Sequence, residues 1–181
     1  MSRIEPIDPT QADPAVGHTL GEVKVNLGVL PNLFTTLARS PAALNSFVGF
    51  SDAVSGGRLS SRQRELIALA VAQRNQCGYC LSAHTAISKG LGITDAAVAL
   101  ARQGSAASPT DDAIVRFALA VVETRGAVSD DRLDAIRKAA GDDGIAIEIV
   151  ANVALNTLTN YVSRLADTEV DFPLVSLAAA S

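Results

Sequence analysis

The sequence predicts an all-α fold of seven to nine helices. Its 181 residues include 31 alanines, no tryptophan and only seven aromatic residues, five Phe and two Tyr. Alanine is the best helix former, whereas β-rich domains favour aromatic and β-branched residues. No run of alternating apolar and polar residues is long enough to suggest a pair of strands. The length suits one domain that buries its own hydrophobic core.

Start and stop signals divide the chain into elements. Three prolines within residues 1–14 predict an extended N-terminal arm, and residues 15–181 are expected to form a single helical domain. Ser60 with Gln63 has the capping-box pattern, and serine followed by proline opens two other helices. The predicted helices cover, in order, residues 15–26, a short segment after Pro31, Pro41 to Gly56, 60–75, 77–89, 94–103, a longer segment opened by Ser108-Pro109, 129–140 and 145–166.

Charge and hydropathy exclude several classes of function. The net charge is −4 and the 15 basic residues are scattered, so nothing favours binding to nucleic acid or to an anionic membrane. The proline-rich N-terminus has no apolar stretch of the kind that secretory signals carry. The most apolar uncharged run, residues 149–163, contains three asparagines and predicts a buried helix rather than a membrane span. We therefore expect a cytoplasmic protein.

The residues that bear chemistry cluster in Cys77-Gly-Tyr-Cys80, followed by His84. If Cys77 lies at a helix N-terminus, the two sulfurs can come within disulfide distance. The free backbone N–H groups there favour a thiolate. His84 is four residues after Cys80, so a helix places both side chains on one face. Imidazole can take the proton of a thiol and return it later to a leaving group.

Glu65 lies twelve residues before Cys77, on the preceding predicted helix. An antiparallel hairpin of the two helices would bring Glu65 to the face that carries Cys80 and His84. A carboxylate there would orient the imidazole and stabilise its charged form. Taken by itself, Glu65 also fits a solvated helix position.

Other interpretations of the cysteines remain open. They could be small buried residues, or they could bind zinc together with His84 and Glu65. A thioredoxin-like motif is disfavoured because a helix, not a strand, precedes the cysteines. The second histidine, His18, is assigned no role, and the three Asp pairs fit caps and turns.

The pattern Glu65-x11-Cys77-Gly-Tyr-Cys80-x3-His84 resembles the AhpD-like alkylhydroperoxidase core of the carboxymuconolactone decarboxylase superfamily. The stretch from Cys77 to Gly92 closely resembles the sequence that is usual in that family. Residues 30–41, 155–161 and 171–173 resemble its entry helices, its closing helix and its tail. The likeness spans most of the chain, and the redox core over residues 60–92 is its most specific part.

This resemblance implies an AhpD-like helical fold that assembles as a homo-oligomer, a trimer or a hexamer. It implies that Cys80 is the peroxidatic cysteine, Cys77 the resolving cysteine, and His84 with Glu65 a proton relay. A family member has histidine where this chain has Tyr79, which can donate a hydrogen bond. The implied reductant is a thiol donor such as a lipoylated protein or thioredoxin.

The leading hypothesis is therefore a thiol-dependent peroxidase or disulfide oxidoreductase that needs no metal or organic cofactor. One alternative is a decarboxylase or lactone-processing enzyme that uses His84 and Glu65 as acid and base. Another is a non-catalytic redox sensor or a zinc-stabilised assembly module.

Overall fold

The computed structural model describes residues 2–177, and all regular elements in that range are helical. This confirms the all-α prediction. Met1 and residues 178–181, which the predicted arm and domain include, lie outside the described range. The helices are α1 (Pro14–Leu27), α2 (Asn32–Leu37), α3 (Pro41–Ser55), α4 (Ser61–Arg74), α5 (Gly78–Gly90), α6 (Asp95–Arg102), α7 (Pro109–Thr124), α8 (Asp130–Ala140) and α9 (Asp143–Ala166).

The helix starts follow the predicted caps, with two corrections. Ser60 and Gln63 form both hydrogen bonds of a capping box at the start of α4. Helix α9 begins two residues earlier than predicted because the Asp142 carboxylate accepts a hydrogen bond from the Ile145 N–H. The N-terminal arm is extended only in part, since Asp8 caps a short 3-10 turn at Pro9–Gln11.

Helix α4 lies at the centre of the fold. Its residues 66–72 are all buried, so the helix is enclosed on every side. One face packs into a core with α5 and α2, which includes Leu69 and Cys80. The opposite face packs Ile67 and Val71 against α7 and α9.

Helices α4 and α5 form a tight hairpin. The Cys77 N–H donates to the Ala72 carbonyl at 2.9 Å across the connection, where Gln76 takes a left-handed conformation with φ +55°. Buried small residues such as Ala68 and Ala83 face the space between these helices and their neighbours. Because the hairpin is antiparallel, the first turns of α4 lie beside the middle of α5.

Helix α9 spans the molecule and packs against α4, α7, α3, α8, α2 and α5. It is the one described helix that is long and apolar enough to cross a membrane, with 44% of the tested window buried in the fold. Core helices of soluble proteins also meet that criterion. Contrary to the expectation of a helix buried all round, its outer face is exposed and carries Ile147, Tyr161 and Leu165.

The segment after α9, residues 167–177, forms a strap over the start of α2 and α5. The Asp171 carboxylate accepts a hydrogen bond from the Asn32 N–H at 2.7 Å. The Val175 N–H donates to the Ser82 hydroxyl at 3.0 Å. The ring of Phe172 meets Tyr79 edge to face, 5.8 Å between ring centres. The strap therefore closes one side of the space in front of α5.

Candidate functional site

The two cysteines are joined by a disulfide at the N-terminus of α5. Cys77 is the N-cap residue, and its sulfur accepts a hydrogen bond from the Cys80 N–H at 3.2 Å. This confirms the prediction that the motif opens a core helix. The residues are only 1% and 3% exposed, so the bond is shielded from bulk solvent.

His84 and Glu65 form a hydrogen-bonded ion pair one turn further along α5. His84 Nδ1 lies 2.9 Å from Glu65 Oε2, and the two side chains are 21% and 14% exposed. Glu65 is thus turned inward rather than solvated. Burial by itself lowers the pKa of His84, but the attraction and hydrogen bond of the Glu65 carboxylate outweigh it, so the pKa is raised. With Nδ1 held by the carboxylate, Nε2 is the ring nitrogen left for a ligand.

Cys80, His84 and Glu65 open onto one cavity of about 260 Å³. Cys77 does not line it, so Cys80 is the cysteine of the pair that borders the cavity. Much of the wall is apolar and comes from helices α2, α3 and α9 and from the strap. The main apolar side chains are Leu33, Phe34, Phe47, Val54, Leu155 and Phe172.

Tyr79 lines the cavity with its ring but is held through its hydroxyl at the start of α2. The Leu33 N–H donates to that oxygen at 3.1 Å, and Asp171 lies beside it. Burial, reinforced by the negative charge of Asp171, raises the pKa of Tyr79 well above its usual value. The hydroxyl is therefore neutral at physiological pH and anchored at α2. A part for it in proton transfer stays a prediction.

Sequence reasoning missed a polar row on the inner face of α9. Asn152, Asn156 and Thr159 line the cavity, and the Ser163 hydroxyl lies 3.9 Å from the Cys80 sulfur. All four residues are buried. Their spacing of four, three and four residues places them on one helix face. That spacing, inside the most apolar stretch of the chain, was the available signal.

Among residues 2–177, no group of three or more His, Cys, Asp or Glu side chains is arranged to hold a metal ion. His18 lies away from the cavity, on the exposed surface of α1, 3.4 Å from Glu22. The cavity thus combines a redox-capable sulfur, an acid–base pair and an apolar wall. This arrangement suits thiol chemistry on an organic molecule.

The model of the carboxymuconolactone decarboxylase family matches residues 41–124. An alkyl hydroperoxide reductase of Mycobacterium tuberculosis is 29% identical over 101 residues. The match covers 55% of this chain and 29% of that relative, so the chain spans less than a third of the curated protein that it matches.

Solved structures share the fold over nearly the whole chain. A peroxidase-related protein with an alkylhydroperoxidase AhpD core, from Ralstonia eutropha, superposes with a TM-score of 0.85 and 27% identity. The likeness covers 94% of this chain and 92% of that one. The debrominase Bmp8, solved in complex with 2,3,4-tribromopyrrole, has a TM-score of 0.78 at 20% identity over 93% of this chain and 91% of its own. At that identity the second likeness concerns the fold alone.

Proposed function

Since the chain belongs to the carboxymuconolactone decarboxylase superfamily as an AhpD-like member, we propose that it is a thiol-dependent hydroperoxidase. The observation that carries the proposal is that Cys80 of the Cys77–Cys80 disulfide and the His84–Glu65 pair line the same largely apolar cavity. Cys80 is assigned as the nucleophile because it lines the cavity, whereas Cys77 does not.

In the first step the Cys80 thiolate attacks the terminal oxygen of the hydroperoxide. A sulfur–oxygen bond forms, the O–O bond breaks, and the alkoxide leaves with the electron pair. Charged His84 gives its proton to the alkoxide, which becomes an alcohol, and Cys80 becomes a sulfenic acid. Glu65 supports this step because its carboxylate stabilises the imidazolium before the transfer.

In the second step the Cys77 thiolate attacks the sulfur of the sulfenic acid. The hydroxyl group leaves and takes up a proton to become water, and the two sulfurs join. One hydroperoxide and two thiols are thus converted to an alcohol, water and a disulfide. The disulfide present in the structure corresponds to the end of this cycle.

Each turnover then requires an external dithiol to reduce the disulfide. We propose a lipoylated protein or thioredoxin as the donor. Because such a cycle operates only where thiols are kept reduced, the cytoplasm is the proposed location. Because the two sulfurs are buried, we expect the donor thiol to be carried on a long, narrow group rather than on a flat protein surface.

We also propose that the protein is a homo-oligomer, a trimer or a hexamer. The exposed apolar face of α9 supports self-association, since Ile147, Leu158, Tyr161 and Leu165 recur there at helical spacing. Sedimentation analysis of the wild type and of a Leu165→Lys variant tests this. If the wild type and the variant both sediment as monomers, the proposed self-association is refuted.

The peroxidase assignment is tested with the fully reduced protein and cumene hydroperoxide. We expect one Cys77–Cys80 disulfide per hydroperoxide consumed, read as the loss of two hydrogens by mass spectrometry. Cys80→Ser should consume none. Cys77→Ser is the matched variant and should perform one turnover, leaving a sulfenic acid on Cys80 that dimedone traps. Unchanged peroxide consumption in Cys80→Ser would overturn the assignment.

A second candidate is a decarboxylase or lactone-processing enzyme. It is favoured by one observation, that the His84–Glu65 pair lines the cavity as an acid–base pair without needing the sulfurs. This alternative requires turnover of a lactone acid that survives alkylation of both thiols. The peroxidase requires the opposite, loss of activity on alkylation.

A further inference from the structure

The cavity has a deep end and a mouth. Cys80 is only 3% exposed and marks the deep end, with the Ser163 hydroxyl 3.9 Å from its sulfur. Leu27 and Ile87 also line the cavity and are 54% and 44% exposed, so they mark where it opens to solvent. Arg64 lines the cavity as well, and its side chain is half-buried.

Contacts between helices place Arg64 at the mouth. The α4–α5 hairpin pairs Ala72 with Cys77 and Glu65 with His84, so the position of Cys80 corresponds to that of Leu69. Arg64 lies five residues before Leu69, about 7.5 Å further along the axis. Its long side chain points back towards the N-terminus of α4, where its Nη1 donates to the Leu59 carbonyl at 2.6 Å. The guanidinium therefore lies more than about 10 Å from the Cys80 sulfur.

Arg64 differs from the other two arginines of α4 in its charge partners. Arg62 pairs with Asp111, and Arg74 pairs with Glu123. In the part of the chain that the structure describes, the recorded partners of Arg64 are neutral, the Leu59 carbonyl and the Ser61 hydroxyl. A guanidinium has five N–H donors, so three remain after these two bonds.

The other charged groups of the cavity do not compensate Arg64. They are Glu65 and His84, which neutralise each other as a pair when His84 is protonated. The mouth thus presents one uncompensated cation in a protein of net charge −4.

We propose that Arg64 forms an anion subsite at the mouth, and that the substrate is an organic hydroperoxide bearing a carboxylate roughly 10 Å from the reacting sulfur. The substrate class rests on the hydroperoxidase function proposed above. The hydroperoxide end enters first and reaches Cys80, the hydrocarbon body packs on Phe34 and Phe47, and the carboxylate stays at Arg64. A carboxylate at the mouth keeps part of its hydration, which lowers the cost of binding it.

The test compares two hydroperoxides that differ only in charge, 4-(2-hydroperoxypropan-2-yl)benzoate and its methyl ester. The measured quantity is the ratio of kcat/KM for the acid to kcat/KM for the ester. We expect a ratio above one in the wild type and a roughly five- to tenfold lower ratio in Arg64→Gln, as for a half-exposed charge-assisted hydrogen bond. Arg64→Lys should retain part of the preference, and added NaCl should weaken it in the wild type.

Arg74→Gln is the matched control, because Arg74 is on the same helix but away from the cavity. It should leave the ratio unchanged. If the ratio is unchanged in Arg64→Gln, the subsite is refuted. If that variant does not fold, a preference for the acid that does not depend on salt in the wild type refutes the subsite. Neither result bears on hydroperoxide turnover itself.

A binding measurement separates this inference from the proposed function. Calorimetry with 4-isopropylbenzoate, which cannot react, should show binding to the oxidised wild type that weakens in Arg64→Gln. Binding of this kind together with no turnover of any hydroperoxide would refute the peroxidase and retain the anion subsite. Equal binding to both proteins would refute the subsite.

Discussion

Replacing Glu65 with glutamine removes a negative charge next to His84 and keeps a hydrogen-bonding side chain of nearly the same shape. In the wild type the carboxylate accepts from His84 Nδ1 at 2.9 Å, with both side chains mostly buried. The raised pKa of His84 is the balance of burial, which lowers it, and this carboxylate, which raises it more strongly. The substitution leaves burial unopposed, so the pKa of His84 should fall.

The size of the effect follows from the kind of hydrogen bond that is lost. A charge-assisted bond contributes roughly 1.5–3 kcal/mol, and a neutral bond roughly 0.5–1.5 kcal/mol. The imidazolium therefore loses about 1 kcal/mol or somewhat more of stabilisation. This corresponds to a five- to tenfold weaker affinity of His84 for its proton, at about 1.4 kcal/mol for a factor of ten.

The assay is a pH titration of the histidine ring protons by NMR, on the oxidised protein. The chain has only two histidines, so the spectrum is simple. His18 is exposed on α1, away from Glu65, so its resonance is readily told apart from that of His84. The His84 resonance should titrate at lower pH in Glu65→Gln than in the wild type.

A His84 titration that does not move, or that moves to higher pH, would refute this reasoning. It would mean that the carboxylate does not control the protonation of the ring. The proposed peroxidase cycle gives the same change a kinetic consequence, since the proton donor for the leaving alkoxide is the charged imidazole. The pH above which the rate declines should fall together with the titration midpoint.

Three further predictions concern stability and rate. Because the folded pKa of His84 is raised, its pair with Glu65 stabilises the fold fully below about pH 6.5 and loses that contribution as pH rises through the raised value. The difference in unfolding free energy between the wild type and Glu65→Gln, measured by urea denaturation, should therefore become smaller at alkaline pH. A difference that does not change with pH would contradict this prediction. Tyr79→Phe should lower the unfolding free energy by about 1 kcal/mol with little change in peroxide rate, whereas a large rate loss would place the hydroxyl in the relay. Ser163→Ala should slow alkylation of Cys80 in the reduced protein, because it removes a hydroxyl that can stabilise the Cys80 thiolate. An unchanged alkylation rate would show that the hydroxyl does not stabilise the thiolate.

The boundaries of the helices were largely predictable because caps act over three residues. Ser60 and Ser108 each accept from an N–H three positions ahead, which sequence spacing alone reveals. The position of Cys77 at the start of α5 follows from the same local rule. Local rules also explain the small errors, since Asp8 is a cap that the prediction did not use and the Asp142 cap starts α9 two residues before the predicted start.

Residues contributed by distant segments were not predictable in the same way. Ser163 meets Cys80 across 83 positions of sequence, and Asp171 meets Asn32 across 139. Such contacts depend on how whole helices pack, and a sequence pattern specifies only which face of each helix is apolar. The exposed face of α9 shows this limit, because an apolar sequence does not say which apolar side is covered.

The sequence by itself determined that the chain is helical, where the helices begin, and that Cys80 and His84 share one face of α5. These properties depend on hydrogen bonds and side-chain spacings within a single turn or two. Only the tertiary structure decided that Glu65 faces His84, that Cys80 and not Cys77 lines the cavity, and that Arg64 lines it as well. The physical reason is that close packing among α2, α3, α4, α5, α9 and the strap creates the cavity, and no single segment contains that information.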